Sequence, residues 1–169
     1  MRKLFTGSLI ALILTAFSVV SVTAQEATNV TTLAAGHSIG NISSTAAFTA
    51  GANSNINGYV TAAAAVTLGA YCTVTGNVTA GAAFTSGNSC TIKGSVSAKT
   101  AFTGGASSII GGNVTVGADF TSGANSIIGG AVYVTGAVTL GAGSRILGSV
   151  HSGTGVITYG AGATIGSVN

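Results

Sequence analysis

Ala65-Val66-Thr67-Leu68-Gly69-Ala70-Tyr71-Cys72-Thr73-Val74-Thr75-Gly76-Asn77-Val78 alternates apolar and small polar residues in short bursts broken by glycine or alanine. Its opening triplet returns every eighteen residues as Ala-Phe-Thr or Ala-Val-Thr, and the beat places threonine at Thr31, Thr49, Thr67, Thr85, Thr103, Thr121 and Thr139. Glycine keeps the same beat from Gly40 through Gly58 and Gly76 to Gly166, with Val or Ile two residues after each. Self-similarity at a fixed short period marks a solenoid, and it takes precedence over local propensity.

Each eighteen-residue unit divides into three six-residue sides. Val60, Val66, Cys72, Val78, Phe84, Cys90 and Val96 should point inward, together with Ala62, Leu68, Val74, Ala80, Ser86, Ile92 and Ala98 two residues after them. Alternation within a side gives a short strand. Glycine or alanine at Gly58, Ala64, Ala70, Gly76 and Ala82 is expected to form the corners, glycine letting the backbone bend. The inward pairs exchange volume: Phe48 with Ala50, Phe84 with Ser86, Phe102 with Gly104 and Phe120 with Ser122, against Val66 with Leu68 and Val138 with Leu140. A close-packed core demands such compensation. The fold class is therefore all-β: a single triangular parallel β-solenoid of about eight 18-residue coils.

Residues 25–41 keep the beat only partly, as expected of a capping coil, and residues 42–169 form the solenoid proper. Near the end, Val156-Ile157-Thr158 carries one residue too many and Ile165-Gly166 one too few, so Val168 returns to the beat.

Arg2-Lys3, an apolar run from Leu9 to Val20 and Val22-Thr23-Ala24 together read as a signal peptide over residues 1–24, with export to the outside of the cell. No membrane association is expected after its cleavage. Without Arg2 and Lys3, the chain holds Lys93, Lys99 and Arg145 against Glu26 and Asp119, so no basic patch points to nucleic acid.

Enzymatic chemistry finds little to work with. Glu26 and Asp119 lie about five coils apart, too far for an acid/base pair, and His37 and His151 are isolated. The six-residue rhythm resembles hexapeptide-repeat acyltransferases, but their inserted loops are missing here. No enzyme activity, cofactor or metal is expected. Cys72 and Cys90 stand one coil apart in an inward column continued by Ser54 and Ser108. An exported chain permits a disulfide between them; two buried thiols filling a small-residue column is the alternative.

The threonine side is the unusual surface. Ala47, Ala65, Ala83, Ala101 and Ala137 flank the threonines, and Asp119 is the one interruption. High β-propensity alone would place threonine on any outward strand position. The other two sides instead read Ser43, Thr61, Thr79, Ser97, Thr115, Tyr133, His151 and Asn55, Thr73, Thr91, Ile109, Ile127, Arg145. Only one side stays threonine throughout, and strict spacing suits a periodic solid. A rigid threonine array at the inter-coil spacing, close to a repeat of the ice lattice, would order water, so ice or ordered water is the expected partner. Ala65–Val78 and Ala137–Val150 resemble the C-terminal coils of the microbial ice-binding-protein-like family. That resemblance implies a secreted, right-handed triangular β-solenoid adsorbing to ice through one flat face, although no helical segment follows Ala24 to match the long helix usual there. The Gly-x-Val beat also resembles bactofilins, which implies the alternative of a self-assembling structural or adhesive cell-surface solenoid, associating with itself end to end.

Overall fold

The structure is a computed structural model that describes residues 27–169. The expected signal peptide, residues 1–24, and Glu26 lie outside the described residues. Among these there is no helix, and every strand pairs in parallel with its counterpart on the next coil.

Three columns of short strands make the three sides. The first runs through Ile42–Ser44, Val60–Ala62, Val78–Ala80, Val96–Ala98, Val114–Val116 and Val132–Val134. The second, the threonine face, runs from Thr32–Leu33 through Phe48–Ala50, Val66–Leu68 and Phe84–Ser86 to Ile157–Tyr159. The third runs through Asn55–Ile56, Thr73–Val74, Thr91–Ile92, Ile109–Ile110 and Ile127–Ile128. One long strand, Arg145–Ser152, passes without a break from the third side into the first and joins them into a single sheet. The fold is thus a β-solenoid of about eight turns, as the repeat predicts.

The inward columns are those read from the alternation. Phe48, Val60, Val66, Cys72, Val74, Phe84, Val114, Phe120, Val132, Val138 and Val150 are fully buried. On the threonine side, Phe84, Phe102 and Phe120 stack with ring centroids 5.1 and 4.7 Å apart. Side-chain ladders of this kind favour the flat, untwisted stacking that strands otherwise avoid.

The corners differ from the expectation that glycine supplies the bend. Gly58, Gly69 and Gly76 have no left-handed backbone. Glycine is needed there for close approach instead: a Cβ on Gly69 would sit 2.6 Å from the Ala52 nitrogen of the preceding coil. The bend between the threonine face and the third side is made one step later, by a left-handed residue in each coil. Asn53, Tyr71, Ser89, Ser107 and Asn125 have φ of 56–60°, and Gly143 has 68°. Asparagine and glycine tolerate that region and a bulky aromatic does not. Tyr71 is also 62% exposed, so packing returns little for the strain. Replacing Tyr71→Asn, the residue nature uses at positions 53 and 125, should stabilise the protein by roughly 0.5–1 kcal/mol. A thermal melt in which Tyr71→Asn unfolds earlier than the parent would contradict this account.

The end coils depart from eighteen residues. Ala27 pairs with Ile42, a step of fifteen (42 minus 27), and Thr32 with Thr49, a step of seventeen (49 minus 32). The first coil is therefore narrower, and its residues fall out of the beat projected back from the later coils. At the far end, Thr139 pairs with Thr158 and Val150 with Val168, as the extra and missing residues require.

Cys72 and Cys90 are buried, unbridged thiols in the structure. Each thiol donates to the carbonyl of a corner glycine in the preceding coil: Cys72 Sγ to Gly51 O at 3.1 Å and Cys90 Sγ to Gly69 O at 3.0 Å. Ser108, Ser126 and Ser144 make the same bond to Gly87, Gly105 and Gly123. The column is small because it must reach a carbonyl, and Ser or Cys because it must donate.

Candidate functional site

The threonine face is built by the alternation of its strands. In Phe84–Ser86, Phe84 and Ser86 are buried and Thr85 between them is exposed. The same burial pattern holds in Phe48–Ala50, Val66–Leu68 and Val138–Leu140. Parallel register then sets the threonines side by side: Thr49 with Thr67, Thr67 with Thr85, Thr85 with Thr103, Thr103 with Thr121, and Thr121 with Thr139.

Two corrections apply at the ends of the column. Thr32, not Thr31, pairs with Thr49, because the short first coil shifts the register by one. Thr31 instead gives its carbonyl to the Thr49 amide at 2.9 Å. At the other end Thr158 pairs with Thr139, which prolongs the ladder by a coil. The column is thus Thr32, Thr49, Thr67, Thr85, Thr103, Thr121, Thr139 and Thr158. The signal for Thr32 was the following Leu33, which is buried and pairs with Ala50. The signal for Thr158 was the extra residue in its own coil. At the usual spacing of paired strands the eight positions span roughly 34 Å.

The flanking column is quiet. Ala65, Ala83, Ala101 and Ala137 are half-buried and Ala47 is exposed, leaving only methyl groups beside the hydroxyls. Asp119 interrupts it, but its Oδ1 accepts the Ala137 amide of the next coil at 2.9 Å. Asn77, Asn88 and Asn113 staple the following coil in the same way, through the amides of Ser95, Ala106 and Ala131. Asp119 therefore makes, in an otherwise alanine column, the side-chain-to-amide link that asparagines make at the other seams.

Among the described residues the two histidines lie on different coils. His151 lies against Tyr133 on the first side, with ring centroids 6.0 Å apart. His37 sits in the first coil with Nδ1 2.9 Å from the Ala35 carbonyl oxygen. Among the described residues no group of three or more His, Cys, Asp or Glu is placed to hold a metal ion. The outward columns of the first and third sides carry the mixed residues expected of them, including Ile109, 45% exposed, and Tyr133, 46%. Comparison of the chain with protein-family models, with curated proteins and with solved structures finds no match.

Proposed function

We propose that the protein binds ice, adsorbing through the threonine face and so restraining crystal growth. The observation that carries this reading is the unbroken column of eight exposed threonines in parallel register, from Thr32 to Thr158. Each step offers one hydroxyl, which holds a water, and one methyl, which resists random hydration. The spacing between steps is about 4.7–4.9 Å, close to a repeat of the ice lattice. A single threonine-bound water is worth little, because ordering it costs most of what its hydrogen bonds return. A rigid row multiplies the gain once the first contact is made, since each later site is presented at high effective concentration.

The rigidity comes from beneath. Phe84, Phe102 and Phe120 stack behind Thr85, Thr103 and Thr121, and their partners Ser86, Gly104 and Ser122 leave the rings room. Residues 1–24, which read as a leader, support a place of action outside the cell, where ice forms first. The decisive experiment grows a single ice crystal in a supercooled solution of the purified chain lacking those residues. The expected result is a faceted crystal that does not grow within a hysteresis gap. Growth as a plain rounded disc at every concentration overturns the proposal.

A further inference from the structure

A solenoid supplies its own control, because residues eighteen apart occupy the same place on successive coils. On the third side the outward column reads Asn55, Thr73 and Thr91, then changes to Ile109, Ile127 and Arg145. On the first side it reads Thr79, Ser97 and Thr115, then changes to Tyr133 and His151. At the corner between them Lys93 follows Asn57 and Thr75, Gly111 and Gly129 carry no side chain, and Leu147 comes next. Three columns thus turn from small and polar to large within the same few coils. Ile109, Tyr133 and Leu147 are exposed, as are Lys93 and Arg145. Single apolar residues on a surface need no explanation, whereas a contiguous patch rimmed by polar groups marks an interaction site.

Shape and charge select the partner. The patch lies on the ridge where the first and third sides meet, across the rod from the threonine face. Small ligands need a concave site, and the cavity beside Ile109 and Ile127 is about 10 Å³, room for about one water. A convex ridge suits a surface that yields to it. Lys93 and Arg145 stand three coils apart, roughly 14 Å, one at each end of the patch. Asp119, the one acid among the described residues, sits at the seam before the threonine face. The near-neutral composition conceals this separation of charge. A second copy docked ridge to ridge, about a twofold axis between Ile109 and Ile127, would set Lys93 of one copy level with Arg145 of the other. An anionic surface neutralises both.

We propose that the ridge of Ile109, Ile127, Tyr133 and Leu147, with Lys93 and Arg145 at its ends, docks on an anionic lipid surface. Leu147 and the isoleucines enter the headgroup region, and Tyr133 lies at its boundary with the hydroxyl toward water. The two cations meet headgroup phosphates. The contact is peripheral, since no helix among the described residues is long and apolar enough to cross a membrane. Docked in this way, the protein turns its threonine face away from the lipid.

The test mixes the chain lacking residues 1–24, whose described strands pair with one another, with vesicles of one-third phosphatidylglycerol and two-thirds phosphatidylcholine. Sedimentation reads the bound fraction. The chain should pellet with these vesicles at low salt and stay in solution with vesicles of phosphatidylcholine alone. Lys93→Thr with Arg145→Thr should weaken binding about 25-fold, each cation near an anionic surface contributing about fivefold. Ile109→Thr with Leu147→Thr should weaken it at least about tenfold. These threonines reproduce Thr91 and Thr75, which hold the same columns in earlier coils, and circular dichroism verifies the fold of each variant. Absence of binding to the anionic vesicles overturns the proposal, as does equal binding to the neutral ones or undiminished binding by either double variant. A dimer in sedimentation velocity without lipid, dissolved by the Ile109 and Leu147 changes, would assign the ridge to a second copy and overturn it too.

Discussion

Thr85→Arg combined with Thr103→Glu should reduce thermal hysteresis to the level of buffer while leaving the solenoid folded. The two positions are directly paired and exposed at the middle of the ladder. Their replacement divides the column into two runs of three: Thr32 to Thr67, and Thr121 to Thr158. Adsorption that depends on many weak contacts held at once falls far more steeply than the two lost sites would suggest. The long side chains also stand proud of the plane and carry tightly held water, so the surviving threonines cannot meet a flat crystal. Opposite charges are chosen because like charges directly across a strand pair destabilise a sheet, whereas opposite ones contribute roughly 0.2–1 kcal/mol. The control is Thr61→Arg with Thr79→Glu, which makes the same change on the paired, exposed outward column of the first side. It should leave hysteresis intact. Equal hysteresis in the ladder variant and the parent would remove the threonine face from the mechanism altogether.

The largest stability effect is expected at Phe102. Its ring stacks between those of Phe84 and Phe120 and is 3% exposed. Across from it, Gly104 supplies no side chain, and a small cavity already lies there. Phe102→Ala should therefore cost about 3–5 kcal/mol. At about 2–4 °C per kcal/mol for a chain of this size, the melting temperature drops by roughly 10 °C. The compensation seen in other coils predicts a rescue. Val66 with Leu68 and Val138 with Leu140 fill the same two columns that Phe102 and Gly104 fill here. Phe102→Val alone should leave a void. Gly104→Leu alone should overpack, since even a Cβ on Gly104 meets Phe102 Cε1 at 3.0 Å. The double change should return to within about 1 kcal/mol of the parent, a coupling that urea denaturation of the four proteins measures as a cycle. Purely additive losses would show that the apparent exchange of volume is coincidence.

What could be read in the chain depended on whether a residue's role repeats in its own coil or depends on its neighbour. The inward columns and the threonine face repeat within the coil, so their alternation was sufficient from Ile42 to Val150. The ladder was misplaced by one at Thr31 because the first coil is shorter, and a beat projected backward carries no information about its own change. The corner glycines were assigned to bending because glycine's freedom is a property of one residue. Their actual role, leaving room for the backbone of the adjacent coil, exists only in the stack. The Ser/Cys column was legible as small and buried. That its members donate to the coil before them was not legible, since nothing in the sequence says which carbonyl lies within reach.

Those bonds have a consequence for how the protein is made. Cys72, Cys90, Ser108, Ser126 and Ser144 each donate to an earlier coil, and Asn77, Asn88, Asn113 and Asp119 each wait to receive an amide from a later one. Every link therefore joins a new turn to one already completed, across a loop of about twenty residues whose closure is cheap. A chain emerging from its N-terminus can zip turn by turn, the narrow first coil serving as seed and each finished coil as the template for the next. Assembly would then have a direction, and a copy truncated at any turn would hold the same structure as the whole up to that point.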